Sequence, residues 1–177
     1  MHLGAEFLRA LPLPLLALSA CAHAPPVTPL EGRQEVVCQF AIAAHGQRFA
    51  GLMAAALTPE GVQVSALTPA GTELFRVSDL GGDTEVSAPD PTWEPWLARL
   101  PFRRDLSLVF AWSCPAGRCA AGGGVLTERA LPEGGVERSW RGPDGPVVAE
   151  IVPGRAVLTD ERRGTTVTLA GEAVRVP

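Results

Sequence analysis

Apolar and polar residues alternate along most of this chain, and that period of two restricts its fold more than any other feature. In the first such stretch Val36, Cys38, Phe40 and Ile42 occupy every second position after Glu35. Successive side chains of a β-strand point to opposite faces of the sheet, so the pattern predicts a half-buried strand. Turn sequences rich in glycine and proline recur roughly every 8 to 12 residues, which is typical of an antiparallel sheet of short strands.

The alternation predicts nine further strands and one interruption. The strands are expected at residues 48–57, 62–67, 73–78, 105–112, 123–131, 136–141, 146–152, 156–160 and 165–169. Residues 79–91 are polar and predict a connection. In residues 92–100 the period changes, because Trp93, Trp96, Leu97 and Leu100 recur at helical spacing. We expect one short helix there, capped by Thr92, whose tryptophans pack on the sheet or, alternatively, form a ligand cage.

Charge and motifs exclude several function classes. The net charge is −4 and the sequence contains no lysine, so a basic surface for nucleic acid is not expected. No nucleophile elbow, zinc-protease helix or phosphate-binding loop occurs. His23 and His45 are expected in solvated segments, and Asp160, Arg162 and Arg163 in a solvated turn. We therefore expect no enzyme, no catalytic residue, no cofactor and no metal.

The first twenty residues are typical of an export signal. Residues 11–18 are almost wholly apolar, follow Arg9, and are too few to cross a membrane as a helix. Leu18-Ser19-Ala20-Cys21 resembles the lipobox of bacterial lipoproteins. The resemblance implies cleavage after residue 20 and fatty acylation of Cys21, which would anchor the protein to a membrane. An ordinary signal peptide with a chance cysteine is the alternative.

The residues after the lipobox predict where the protein is anchored and how the anchor is joined to the domain. Ala22, which is not aspartate, favours the outer membrane, with the protein facing the periplasm, by resemblance to the lipoprotein sorting rule. Residues 21–34 are expected to form the lipidated cysteine and a flexible tether. The remainder, residues 35–177, has room for a single domain.

Residues 46–79 resemble the LolA/LolB-type lipoprotein-localisation fold. The resemblance is carried by Gly46-Gln47-Arg48-Phe49-Ala50-Gly51, by the strand at 62–67, and by the turn Thr68-Pro69-Ala70-Gly71-Thr72-Glu73-Leu74. It implies a mainly β fold, a curved antiparallel half-open β-barrel with one short covering helix. It also implies an apolar cavity for a lipid or lipidated partner, and delivery of that ligand by a periplasmic carrier protein.

One position departs from the family pattern. Pro69, Ala70 and Gly71 match the loop that inserts into the membrane in LolB-type receptors, where the central residue is an exposed leucine. Ala70 offers much less apolar surface to a bilayer, so insertion by this loop is in doubt. A protein with an apolar cavity is still expected.

Small residues in the strand at 48–57 suggest that the interior could be hollow, because they leave volume that the helix only partly fills. The alternative is that alanine is simply abundant and the barrel is filled. The chain would then be a structural lipoprotein of the cell envelope that docks a protein partner. If the hollow exists, the residues expected to line it are Phe49, Ala50, Leu52, Ala54, Val64, Trp96, Leu97, Leu108 and Phe110.

Three cysteines follow Cys21. Cys114 and Cys119 enclose the turn-forming sequence Pro-Ala-Gly-Arg, so a disulfide between them is plausible in an oxidising compartment. Cys38 would then be a buried thiol beside Phe40. The alternative is that Cys38 pairs with one of the other two.

Overall fold

A computed structural model describes residues 24–28, 30–44, 46–132 and 134–175. The predicted signal peptide, the predicted acylation site Cys21 and both His23 and His45 lie outside the described residues. What the sequence predicts for these residues therefore stays a prediction.

In the described residues, eleven antiparallel strands form one sheet. Their order is β5-β4-β3-β2-β1-β11-β10-β9-β8-β7-β6, so every two strands that pair are neighbours in sequence, except β1 and β11. Within the described residues the edge strands β5 and β6 do not pair with each other, and the sheet is not closed into a barrel. The strands are β1 (Gln34–Ala44), β2 (Gln47–Thr58), β3 (Gly61–Leu67), β4 (Glu73–Leu80), β5 (Asp83–Ser87), β6 (Arg118–Ala121), β7 (Gly124–Ala130), β8 (Val136–Gly142), β9 (Gly145–Val152), β10 (Arg155–Asp160) and β11 (Thr165–Ala170).

The alternation in sequence separates an inner from an outer face of this sheet. In β1 every second side chain is buried, from Val36 to Ala44, and the residues between them are exposed or half-buried. Cys38 pairs with Met53 and Phe40 with Gly51, so β1 and β2 bury the same face. The prediction of a mainly β, antiparallel fold is therefore confirmed.

One segment covers the inner face. It consists of a 3₁₀ turn at Pro91–Trp93, helix α1 (Glu94–Leu97), helix α2 (Phe102–Leu106) and a π-helical turn at Ser107–Ala111. We call residues 91–111 the covering segment. Its buried apolar side chains, which pack against the inner face, are Leu97, Phe102, Leu106, Leu108 and Val109.

The prediction of one helix over 92–100 is wrong in its extent and its cap. The cap is Asp90, whose Oδ1 accepts hydrogen bonds from the backbone N and the hydroxyl of Thr92, at 3.0 and 2.6 Å. Helix α1 ends at Leu97, and Pro101 follows before α2 begins. Because proline disfavours helical geometry in the residue before it, the two helices are not continuous.

The strand predicted at 105–112 is also wrong. Residues 102–111 are helical, and Phe102, Leu106 and Val109 form a buried stripe at helical spacing. The run from Leu106 to Trp112 is almost uninterrupted in its apolar character, so it fits both periods, and a short run of that kind does not distinguish strand from helix.

Two short edge strands were not predicted. Residues 79–91 were expected as a connection, but β4 continues to Leu80 and pairs with β5. Gly81 and Gly82 make the turn between them with φ angles of 63° and 97°. Val86 is half-buried and the other four residues of β5 are exposed. This strand therefore has no alternation of apolar and polar residues to detect. Strand β6 does alternate exposed and buried residues, but at four residues it is too short for the alternation to stand out in the sequence.

The sheet bends around the covering segment. Phe75 in β4 and Leu158 in β10 line the same small internal space. Five strand spacings separate these strands in the sheet order, which in a flat sheet would place them about 24 Å apart. Strong curvature is needed to bring both side chains to one space.

Part of the predicted tether lies against β6. The backbone N of Ala120 donates to the carbonyl of Pro25 at 2.6 Å, and the N of Val27 donates to the carbonyl of Ala120 at 2.9 Å. Val27 and Leu30 pack against the core. These contacts cover part of the edge that β6 would otherwise expose.

Candidate functional site

The interior between the sheet and the covering segment is nearly filled. The space that remains has a volume of about 30 Å³ and an almost wholly apolar lining. Binding sites for drug-sized ligands usually measure about 300 to 1,000 Å³. We call this space the inner seam. Residues lining it are Phe40, Ile42, Met53, Phe75, Leu100, Phe102, Asp105, Leu106, Leu158, Val167 and Leu169.

Aromatic contacts explain why the small residues of β2 do not leave a hollow. Phe75 lies between Phe40 and Phe102, with ring centroids 5.9 and 5.8 Å away. At another point Phe49 contacts Trp93 and Trp96, with centroids 4.6 and 5.0 Å away. These aromatic side chains fill the interior, so among the described residues the space found between the sheet and the covering segment is far smaller than the cavity expected from the sequence.

The residues predicted to line a cavity fall into two groups. Phe49 and Val64 belong to the inner face, and Trp96, Leu97, Leu108 and Phe110 belong to the covering segment. Ala50, Leu52 and Ala54 were assigned wrongly, because they are exposed on the outer face. Ala50 pairs with Ala41 and Leu52 with Gln39, both outward residues of β1. Since adjacent residues of a strand face opposite ways, the expected lining could not include both Phe49 and Ala50.

Arg104 joins the covering segment to the sheet through a buried ion pair. Its Nη2 lies 3.1 Å from Oδ2 of Asp160 in β10, and its Nε lies 2.8 Å from Oδ1 of the adjacent Asp105. The guanidinium carbon lies 5.2 Å from the ring centroid of Trp140, within cation–π distance. The third nitrogen, Nη1, is buried and has no hydrogen-bond partner among the described residues.

Arg138 makes the reverse connection, from the sheet to the covering segment. Its side chain is 1% exposed. Its Nη1 donates to the carbonyls of Leu108 and Val109 at 2.9 and 3.2 Å, and its Nε donates to Glu128 at 2.7 Å. The two carbonyls lie near the C-terminal end of a helical stretch, where backbone acceptors lack intrahelical partners. Arg138 therefore stabilises the end of the covering segment.

The two carboxyl groups beside Arg104 differ in acidity. Burial raises the pKa of Asp105 to about 6, although the neighbouring Arg104 acts to lower it. Burial also acts to raise the pKa of Asp160, but hydrogen bonds from Arg163 and Arg104 outweigh it and lower that pKa overall. The expectation that Asp160 lies in a solvated turn is wrong, since it is 5% exposed. The adjacent Arg-Arg-Asp triplet in an apolar stretch was the available signal for this cluster.

A larger depression, which we call the arginine cleft, opens beside Arg104. It has a volume of about 570 Å³, which lies within the range of small-molecule sites. Its lining combines charged, aromatic and aliphatic residues from the N-terminal segment, the covering segment and the turns of the sheet. They are Val27, Leu30, Thr58, Pro59, Asp79, Pro101, Arg103, Arg104, Ser107, Ala111, Trp112, Gly122, Trp140 and Asp144.

The outward residues in the middle of strands β1, β2 and β11 are uncharged. Val37 is 67% exposed and Leu52 40% exposed, the two large apolar side chains that stand out on the surface of the described residues. Outward residues around them include Gln39, Ala41, Ala50, Ala54, Thr168 and Ala170. We call this area the outer patch. A continuous uncharged area of this kind often marks an interaction surface.

The turn that resembles the insertion loop connects β3 to β4. Pro69, Ala70 and Gly71 are all exposed there, and the N of Gly71 donates to the carbonyl of Thr68 at 2.9 Å. Gly71 has a φ of 84°, a conformation that residues with a Cβ rarely adopt. The structure thus presents Ala70 to solvent at the tip of a hairpin.

Cys114 and Cys119 form a disulfide, and Cys38 is a free, buried thiol. The bond spans the turn that precedes β6, where the N of Gly117 donates to the carbonyl of Cys114 at 2.8 Å. Burial raises the pKa of Cys38 to about 11, so it is a poor nucleophile at neutral pH.

Comparisons with known proteins do not assign a family. No family model matches the chain, and no curated protein matches it. The resemblance to the LolA/LolB-type fold therefore remains a prediction. Within the described residues, no helix combines the length and hydropathy needed to cross a membrane. The same residues contain no group of three or more histidine, cysteine, aspartate or glutamate side chains placed to hold a metal ion.

Proposed function

We propose that this chain is a lipoprotein of the outer membrane, acylated at Cys21, that binds a lipid or lipidated partner in its half-open barrel. The observation that carries the proposal is the combination of a continuous apolar inner face with a cover made of very short helices. Helices α1 and α2 have four and five residues. Helices of this length are not stable by themselves, so the cover holds its conformation through its contacts with the sheet.

The small volume of the inner seam determines how such a ligand would enter. An acyl chain does not fit into about 30 Å³, so it would take the place of the covering segment's side chains on the inner face. Exposing the five buried apolar side chains of that segment would cost roughly 10 kcal/mol. Burying an acyl chain of about 16 carbons would contribute about 13 kcal/mol. The exchange is close to balanced, which suits a protein that receives a ligand and releases it.

The proposal is tested with the mature chain carrying Cys21→Ser, which lacks its own acyl groups. A fluorescent fatty acid should bind to it, and native mass spectrometry should detect lipid that copurifies. Met53→Trp places a larger side chain in the inner seam, so we expect weaker uptake from this variant.

Leu52→Trp is the matched control, because the neighbouring residue faces outward. Chemical denaturation of both variants must show that they are folded, since overpacking a core costs about 1 to 3 kcal/mol. Equal uptake by the two variants, or no uptake by the parent protein, would contradict binding at the inner face.

A second candidate function is a scaffold lipoprotein that docks a protein partner, and two observations favour it. The interior is nearly filled in this structure, and the outer patch exposes Val37 and Leu52 among outward residues most of which are uncharged. A photo-crosslinking amino acid at position 52 should then capture one defined protein in intact cells. The same photo-crosslinking group in place of Thr159, which is exposed on β10, should not capture that protein. Equal or absent capture at both positions would count against docking at this patch.

A further inference from the structure

We infer that the arginine cleft binds a singly charged oxyanion, a carboxylate or a phosphodiester, carried on an apolar body. The arginine cleft is a site separate from the inner seam, because the two have no lining residue in common.

An unsatisfied donor points to an oxygen ligand. The Arg104 side chain is 9% exposed, and it forms part of the cleft wall. Its Nη1 has no acceptor among the described residues, whereas buried polar groups in native proteins almost always have one. A guanidinium N–H can be satisfied only by an acceptor, and its hydrogen bonds to anionic oxygens are the stronger ones.

A second arginine lines the same cleft. Arg103 follows Pro101 on α2, is exposed, and donates from Nη2 to the carbonyl of Pro59 at 3.1 Å. This bond holds its side chain across the cleft wall and leaves other donors of the guanidinium open to a ligand. Two guanidinium groups that line one cleft can both donate to the two oxygens of a carboxylate or phosphodiester.

The remaining lining limits the charge and shape of the ligand. Asp79 and Asp144 also line the cleft, so a doubly charged phosphate would be repelled more strongly than a single charge. Trp112 and Trp140 supply aromatic surface, and Val27 and Leu30 supply aliphatic surface. Gly122 allows the close approach of Trp112, since a Cβ there would lie 2.9 Å from the ring. These walls fit an apolar body next to the charged group.

Indole NMR signals of the full chain can locate the ligand. The chain has four tryptophans, of which Trp112 and Trp140 line the cleft, while Trp93 and Trp96 belong to the 91–97 part of the covering segment. We expect octanoate and a short-chain phosphatidylglycerol to shift the signals of Trp112 and Trp140. Octanol, which lacks the anion, and acetate, which lacks the apolar body, should bind at least tenfold more weakly. The two anionic probes distinguish a carboxylate from a phosphodiester as the preferred group.

Two variants complete the test. Arg103→Gln should weaken octanoate binding about tenfold or more, because a hydrogen bond to a charged group is lost. Arg99→Gln, an exposed arginine of the covering segment that does not line the cleft, should leave binding unchanged. Equal weakening by both variants, equal binding of octanol and octanoate, or the absence of shifts at Trp112 and Trp140 would overturn the inference. Shifts confined to Trp93 and Trp96 would support the inner face and overturn the cleft.

Discussion

Arg104 in α2 and Asp160 in β10 form a buried ion pair, with Nη2 3.1 Å from Oδ2. The pair fixes the covering segment to the inner face of the sheet at β10. Fifty-six residues separate Arg104 and Asp160 in sequence. Asp160 also accepts hydrogen bonds from the backbone N and Nη1 of Arg163, at 3.1 and 2.9 Å. Its carboxylate therefore connects the cover, the sheet and a turn.

Removal of this carboxylate should destabilise the fold strongly. Asp160→Ala leaves the buried charge of Arg104 with Asp105 as its single acidic partner, and breaking a buried pair costs about 3 to 5 kcal/mol. The free energy of unfolding is measured by chemical denaturation. Asp83→Ala, in the exposed strand β5, is the control and should change it by less than about 0.5 kcal/mol. If both substitutions change the free energy of unfolding by a similarly small amount, the ion pair contributes little to stability.

Asp105 should make stability depend on pH in the direction opposite to most carboxylates. Its pKa is raised to about 6 by burial, so between pH of about 4 and 6 the folded state holds a proton that the unfolded state has lost. The contribution of Asp105 to the free energy of unfolding therefore falls as pH rises through this range, by up to about 3 kcal/mol. Asp105→Asn should lose this dependence, so the variant gains stability relative to the parent as pH increases from about 4 to 6. Parallel pH profiles of the two proteins would contradict the shift.

The sequence predicted the sheet well, because burial of one face imposes a period of two that does not depend on distant contacts. Of the eleven strands in the described residues, nine were predicted close to their observed bounds; β5 was missed because it has no alternation, and β6 because it is only four residues long. The covering segment was predicted only in part. Its second half, from Phe102 to Ala111, has an apolar run that fits helix and strand alike, and its helical form depends on packing against the curved sheet.

The candidate sites were harder to predict, because they depend on pairs that are remote in sequence. Nothing near Arg138 indicates that it would bind the carbonyls of Leu108 and Val109. The same holds for Arg104 and Asp160. The error at Ala50, Leu52 and Ala54 has a different cause, since the alternation already assigned them to the face opposite Phe49. Small side chains indicate a hollow only where the register of the strand turns them toward the interior.

Neighbouring alanines of β2 should respond very differently to enlargement. Ala55 is buried on the inner face and pairs with Val64, while Ala54 is exposed and pairs with Ser65. Ala55→Leu should lower the free energy of unfolding by about 1 to 3 kcal/mol, because the core around it is filled. Ala54→Leu should change it by less than about 0.5 kcal/mol. If Ala55→Leu is tolerated as well as Ala54→Leu, the inner face is less densely packed than the structure shows.

The disulfide should contribute modestly, because it closes a short loop. Cys114 and Cys119 are five positions apart, and loop-closure entropy for about six residues corresponds to about 2 kcal/mol. Dithiothreitol should therefore lower the free energy of unfolding by about that amount, as should the double substitution Cys114→Ser with Cys119→Ser. The doubly substituted protein is the control, since its unfolding should no longer respond to the reductant. Continued sensitivity of that variant would show that another disulfide, involving Cys38, forms in the protein, although Cys38 is a buried free thiol here.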